Sequence, residues 1–250
     1  MSDRDDWHAL TAFTSARVAL GRSGNALPTG RVLEFQLAHA RARDAVHMPF
    51  DSDKVAHALN RADTVLVTTL ATERQTYLMQ PDAGRHLSEA SRRKLNRGSF
   101  DAVLVIADGL SATAIHAHGA VLARLILAAL PGLNWAPVTI ATGGRVAIGD
   151  DISQALGAEL SIVLIGERPG LSAIDAVGIY LTFAPRPGIT KDADRNCISN
   201  VRLRGLVPEE AAHRLAWLVN ESRRLRLTGV GLKEDAPDLR TLPDTATLQP

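Results

Sequence analysis

Two short polar segments, each following an apolar run, hold the residues best placed for binding chemistry. Ser161-Ile-Val-Leu-Ile165 opens into Gly166-Glu167-Arg168-Pro169-Gly170, and Val177-Gly-Ile-Tyr-Leu-Thr-Phe183 leads to Asp194-Arg195-Asn196-Cys197-Ile198-Ser199-Asn200. In open α/β sheets, ligands sit in the crevice beyond the carboxyl ends of the strands, so these segments are where a cofactor would be held. A third loop, Gly21-Arg22-Ser23-Gly24-Asn25, could cradle an anion with Arg17 and Arg22 nearby. Paired glycines are first of all turn chemistry, and a helix–helix turn is the plainer reading.

Several self-contained chemistries are missing. No G-x-G-x-x-G follows a strand and no G-x-x-x-x-G-K-[ST] occurs, so neither the dinucleotide fingerprint nor the P-loop is present. Neither Gly21-Arg-Ser23-Gly nor Gly109-Leu-Ser111 completes the G-x-S-x-G of a serine hydrolase elbow. His116 and His118 invite a metal reading, but residues two apart on a helix point to different sides and cannot share an ion. They read as core or supporting histidines. Cys197 would need a neighbouring base and an electropositive pocket to act as a nucleophile. Asp108 and Asp194, lacking an acid partner, read as caps or turn formers.

Composition narrows the class further. A chain of 250 residues can bury a full core, and its length favours one large domain with a smaller satellite. Lys plus Arg number 28 against 27 Asp plus Glu, a balance that advertises neither nucleic acid nor an anionic membrane as partner. A single cysteine excludes an intramolecular disulfide and any Cys-rich metal site, and suits a reducing cytosol. Met1-Ser-Asp-Arg-Asp-Asp6 lacks the apolar core of a secretory signal, so a cytoplasmic location is expected. Ala112 to Leu130 is apolar over about the length of a spanning helix. His116, His118 and Arg124 within it, and the apolar run ending at Asp108-Gly109 before it, indicate a buried crossover helix instead.

Periodicity then supplies the elements that must position these residues. Helices are expected over Asp6 to Leu20, Thr29 to Val46 and Asp53 to Ala62, followed by a β-branched run, Thr64 to Thr69. A further helix ends near Asn96; its Arg85, Arg92, Arg93, Lys94 and Arg97 read as a solvated face. After Gly98, strand–helix alternation predicts a parallel sheet with helices on its faces. Ala102 to Ile106, Pro137 to Ala141, Ser161 to Ile165 and Val177 to Phe183 are the strands. Ser111 caps the apolar helix, another helix lies near Ile152 to Leu156, and the last runs from Pro208 to about Leu227 with acids first and arginines last. The expected organisation is a mainly helical region over 1–97, an α/β domain over 98–232 and a loosely ordered tail over 233–250.

Six stretches carry a family resemblance: Gly21-Arg-Ser-Gly24, Tyr77-Leu-x-x-Pro-Asp-x-Gly-Arg85, Asp108-Gly-Leu-Ser111, Gly144-Arg-Val146, Gly166-Glu-Arg-Pro-Gly-Leu171 and Asp194-Arg-Asn-Cys-Ile-Ser-Asn200. Through them the chain resembles the small (light) subunit family of ethanolamine ammonia-lyase, a lyase dependent on adenosylcobalamin. The resemblance implies a helical N-terminal region followed by a Rossmann-like α/β domain. It also implies a hetero-oligomer in which cobalamin lies between this chain and a large TIM-barrel subunit that carries the substrate pocket. Corrin contacts map onto Val146, Glu167 and Cys197, with Arg145 alongside. The resemblance assigns this chain neither a catalytic residue nor a metal ligand. Cys197, a ready hydrogen-atom donor, is expected to face away from the radical path.

Two departures qualify those implications. The D-x-H-x-x-G of proteins that ligate cobalt through histidine is absent, His118-Gly119 having no preceding Asp at the required place, so the corrin is expected to keep its own dimethylbenzimidazole. The chain begins close to the first matching helix, whereas some relatives carry a longer extension linked to packaging in an ethanolamine-utilisation microcompartment. A microcompartment therefore stands behind the open cytoplasm as the expected address. Two other classes remain open: a self-sufficient nucleotide-binding Rossmann-type enzyme, and a subunit that serves assembly alone.

Overall fold

In the computed structural model, which describes residues 6–14 and 16–237, the apolar runs form six strands of one sheet. They are β1 (Thr64–Thr68), β2 (Phe100–Ala107), β3 (Val138–Thr142), β4 (Ala158–Gly166), β5 (Val177–Phe183) and β6 (Asn196–Val201). Their order across the sheet is β1-β3-β2-β4-β5-β6. The first four are mutually parallel, while β5 runs antiparallel to β4 and β6 antiparallel to β5. The expected parallel sheet is thus a mixed one. The cause is local: segment 167–176 between β4 and β5 contains no helix, and a parallel return needs a crossover of a dozen or more residues.

β1 comes from the stretch expected to be mainly helical, yet it pairs along β3 from Thr64 opposite Val138 to Thr68 opposite Thr142. The sheet therefore draws a strand from before residue 98. Around it lie α1 (Thr29–His47), α2 (Ser52–Leu59), α3 (Arg74–Met79), α4 (Glu89–Arg92), α5 (Ala112–Ala114), α6 (Ala120–Ala129), α7 (Ile148–Leu156) and α8 (Pro208–Leu225). Helices α2, α6 and α8 cover one face of the sheet through Leu59, Leu122, Ile126 and Leu215, which meet Leu104 and Ile106. Helix α7 covers the other through Ile148, Ile152 and Leu156, which meet Val103, Val105 and Val163. β2 is fully buried on both faces from Ala102 to Ala107, which is why it reads as an unbroken apolar run.

Ser111 caps α5 as expected, its hydroxyl accepting the Ala114 N–H at 3.1 Å. The long apolar helix is broken by a π-helical turn, Ile115–Gly119, between α5 and α6. Its membrane-like length is taken up by packing, with Leu122, Ala123 and Ile126 fully buried. The expected N-terminal helix is a 3-10 helix over Asp6–Ala12, and its apolar residue Trp7 and the following Phe13 are 67% and 86% exposed. α1 forms where expected, although Ala45 is its only buried residue. The helix expected to end near Asn96 shrinks to a 3-10 turn, Pro81–Arg85, and α4, which Ser88 starts afresh as its cap. Of the expected tail, 233–237 is irregular and 238–250 lies outside the described residues.

Candidate functional site

β2 leads through α5 and α6 on one face to β3, and β3 leads through α7 on the other face to β4. Adjacent strands whose connections leave to opposite faces open a crevice beyond their carboxyl ends. Asp108 stands at its head, immediately after β2. Its Oδ1 accepts the N–H groups of Gly143 and Gly144 at 2.8 and 3.1 Å, and its Oδ2 lies 3.5 Å from Arg74 Nη1. Burial raises its pKa to about 6, against the opposing pull of Arg74 and the two amides.

The turn after β3 is braced from behind by Tyr77. Arg145 lies 4.2 Å over its ring and donates through Nη2 to its carbonyl at 2.8 Å; Arg74 also lies over the ring, at 4.7 Å. Burial pushes the Tyr77 hydroxyl up to about 12, with Arg145 pulling the other way. The Arg145 N–H donates to the carbonyl of Gly84 at 2.8 Å. A side chain at Gly84 would come within 2.7 Å of Arg145 Cγ and 2.9 Å of the Gly143 carbonyl, so only glycine allows this approach.

Beyond the brace opens a cleft of about 390 Å³. Its apolar lining is Leu110, Val146 and Ile165, with Tyr180, and its polar groups are Arg145, Glu167 and Arg168. Glu167 follows β4, where its N–H donates to the Ala176 carbonyl at 2.9 Å. Its Oε1 accepts the Asn200 N–H at 3.2 Å and sits over Gly178, where an added Cβ would lie 3.1 Å from that oxygen. Glycine at 178 thus makes room for the carboxylate. The Nε of Arg145 is buried, with no hydrogen-bond partner among the described residues.

Three of the four residues singled out in the sequence therefore meet in one cleft: Arg145, Val146 and Glu167. Cys197 does not line it. It is exposed on β6, directly opposite Tyr180 of β5, and its Sγ lies 3.2 Å from Ser199 Oγ. Tyr180 bridges the two places, lining the cleft on one side and pairing with Cys197 on the other. Its hydroxyl pKa is raised by burial first, then by the Cys197 thiol and the Glu167 carboxylate beside it. α7 packs over β2 and β4, whereas α8 lies against the opposite face of β5 and β6. On the face that carries Tyr180 and Cys197, Tyr180 packs at the margin of the cluster that α7 covers, and Cys197 is left exposed. A second hollow of about 660 Å³ shares Arg145 and Val146 with the first and extends to Lys191 and Arg195.

The remaining candidates have structural tasks. His116 Nε2 accepts the Asp51 N–H at 3.0 Å and its ring stacks on Phe50, with burial lowering its pKa. His118 faces Asp175 at 3.3 Å, so the two imidazoles serve different partners. The Gly21–Asn25 loop is a turn closed by reciprocal backbone bonds between Ser23 and Ala26. In the arginine run, Arg92 pairs with Asp151, Arg93 with Glu89 and Arg85 with Asp82. Among the described residues, no three His, Cys, Asp or Glu side chains gather as a metal site. Sequence reasoning missed Tyr77 and Tyr180, although Tyr77 opens one of the stretches that carry the resemblance.

A helix-flanked sheet whose strand ends enclose an apolar cleft, rimmed by one carboxylate and two guanidinia, defines an α/β ligand-holding protein. The ethanolamine ammonia-lyase light chain (EutC) family model matches residues 4–233, and the chain belongs to that family. It is 50% identical over 254 residues to the ethanolamine ammonia-lyase small subunit of Xanthomonas campestris pv. campestris strain B100, covering 98% of this chain and 93% of that one. The small subunit of Azotobacter vinelandii is 47% identical over 251 residues, covering 94% and 93%. That of Pseudomonas putida strain W619 is 49% identical over 240 residues, covering 92% and 88%. Membership makes the chain part of an ammonia-lyase, a carbon–nitrogen lyase whose light chain works beside a large subunit.

Proposed function

We propose that this chain supplies one wall of an adenosylcobalamin site, the other wall belonging to the large subunit of ethanolamine ammonia-lyase. The observation that carries the reading is the convergence of Val146, Arg145 and Glu167 on one cleft, whose Tyr180 wall continues to the exposed Cys197. The chemistry of the set suits a corrin. Val146, Leu110 and Ile165 offer apolar area to a broad ring, the Glu167 carboxylate accepts hydrogen bonds from rim amide N–H groups, and the Arg145 and Arg168 guanidinia donate to rim amide carbonyls.

When bound, adenosylcobalamin supplies a weak cobalt–carbon bond, with which ethanolamine is converted to acetaldehyde and ammonia. This chain's residues grip and orient; none is required to move a proton. Asp108 holds the Gly143-Gly144 turn, and Tyr77 with Gly84 holds Arg145, so that Val146 is presented from a rigid strand end. Cys197, at the edge of the wall, contributes packing area. A reducing cytoplasm suits its single exposed thiol.

The test is co-expression with a large subunit and assay of adenosylcobalamin-dependent ammonia release from ethanolamine. In the same complex, the double variant Val146→Ala, Glu167→Gln is expected to lose cobalamin on gel filtration while remaining assembled. Full cofactor retention by that variant would favour a subunit that serves assembly alone.

A further inference from the structure

The hollow beside Val146 is floored by a buried ion pair that binding to the cofactor does not itself require. Arg195 Nη1 and Nη2 donate to the two carboxylate oxygens of Asp150 at 2.7 and 2.6 Å, and Nη1 also donates to Thr182 Oγ1 at 2.9 Å. The side chains of the pair are 2% and 1% exposed. Asp150 belongs to the first turn of α7, where its own N–H donates to the Ala147 carbonyl and that of Gly149 to the Val146 carbonyl. Arg195 is extended and stands two residues before Cys197, so both side chains point to the same face of the sheet. Thr182 stands two residues from Tyr180 on β5 by the same rule. One guanidinium therefore joins the helix start that carries Val146 to the strands that carry Tyr180 and Cys197.

Stability alone is a poor account of such a pair, because an apolar pair of similar volume is often as stabilising. The Arg195 Nε, moreover, is buried without a hydrogen-bond partner among the described residues, with Asp192 Oδ1 4.0 Å away. What a bidentate fork supplies, and apolar packing does not, is a fixed distance and a fixed angle. We propose that Arg195 and Asp150 are positioning residues that set the separation of Val146 from Cys197, and hence the width of the cofactor wall.

This inference rests on the cobalamin reading above, and the experiment separates the two. In the complex with the large subunit, hydroxocobalamin affinity is measured by absorbance titration. Alkylation of Cys197 with and without saturating hydroxocobalamin is followed by peptide mass spectrometry. For the unsubstituted complex, cofactor protection of Cys197 and weaker binding by Glu167→Gln are expected; loss of both would overturn the underlying reading. Arg195→Lys keeps the charge but loses the fork, and about a tenfold weaker affinity is expected, with Cys197 less protected at saturation and KM for ethanolamine unchanged. Affinity and protection equal to the unsubstituted complex would overturn the positioning role while leaving the cobalamin reading intact. If Arg195→Lys does not assemble, Thr182→Val decides the matter. It leaves the fork whole but frees it from β5, so about threefold weaker affinity supports the role and unchanged affinity overturns it.

Discussion

Substituting Glu167 by glutamine isolates the charge at the rim of the cleft. The side chain keeps its length, and the glutamine carbonyl oxygen can still accept the Asn200 N–H that Glu167 Oε1 accepts at 3.2 Å. The space over Gly178 is filled as before, so the β5 and β6 ends should not move. What is lost is the charge on an acceptor facing the cleft. A hydrogen bond to a charged group contributes about 1.5–3 kcal/mol net, and one between neutral groups about 0.5–1.5 kcal/mol. The difference, about 1–1.5 kcal/mol, corresponds to a Kd for hydroxocobalamin raised about five- to twelvefold. The assay is absorbance titration of the assembled complex, with KM for ethanolamine measured at saturating adenosylcobalamin as the control. A Kd within about twofold of the unsubstituted complex, with thermal stability unchanged, would refute the claim that this carboxylate reads the corrin rim.

Three further substitutions probe the supports. Gly84→Ala drives a methyl into Arg145 Cγ and the Gly143 carbonyl, so a stability loss of about 1–3 kcal/mol by thermal denaturation is expected together with weaker cobalamin retention. Cys197→Ser exchanges only the γ atom at the edge of the wall, outside the cleft, and is expected to keep turnover within about twofold. Asp108 has a folded pKa near 6, above the ordinary 3.8, so its proton is held more tightly in the folded state. Its contribution is therefore greatest below about pH 4 and is lost as pH rises through 6, by up to about 3 kcal/mol. Asp108→Asn removes this titration, so its thermal midpoint relative to the unsubstituted chain should rise between pH 4.5 and 7; parallel profiles would contradict the assignment.

How far the residues announced their positions depends on whether the signal was local. Val146 and Glu167 lie just past the apolar runs of β3 and β4, and strand ends in an α/β sheet are legible from pattern alone. β6 was not legible. Asn196-Cys-Ile-Ser-Asn-Val201 is a short edge strand whose pairing with β5 slips between Val177 and Ile179, so its inward residues, Ile198 and Val201, miss the alternation that marks a strand. The link between Arg195 and Asp150 is also invisible locally. Each residue has an innocent reading, a helix N-terminal acid and an exposed arginine, and only the folded sheet joins them across 45 positions. The π-helical turn at Ile115–Gly119 has no compositional mark either; its two histidines signalled a possible metal site, whereas tertiary contacts with Phe50, Asp51 and Asp175 occupy them.

Asp108 also bears on the nucleotide-enzyme alternative. In doubly wound folds that bind nucleotides, backbone N–H groups of a glycine-rich turn at the strand ends meet the phosphate. Here the Gly143-Gly144 turn stands at the corresponding crevice, but both amides already donate to one carboxylate oxygen of Asp108. A phosphate would have to displace a buried acid held by the chain itself and braced by Arg74. It would also bring a second negative charge against that acid. The internal carboxylate thus spends the turn's anion-binding capacity on rigidity. The next residues, Arg145 and Val146, then extend from a fixed base into a cleft with more apolar lining than a phosphate needs. A strand end so equipped suits a large neutral-rimmed ring better than a dinucleotide, and that inference follows from hydrogen-bond occupancy, independently of the missing glycine fingerprint.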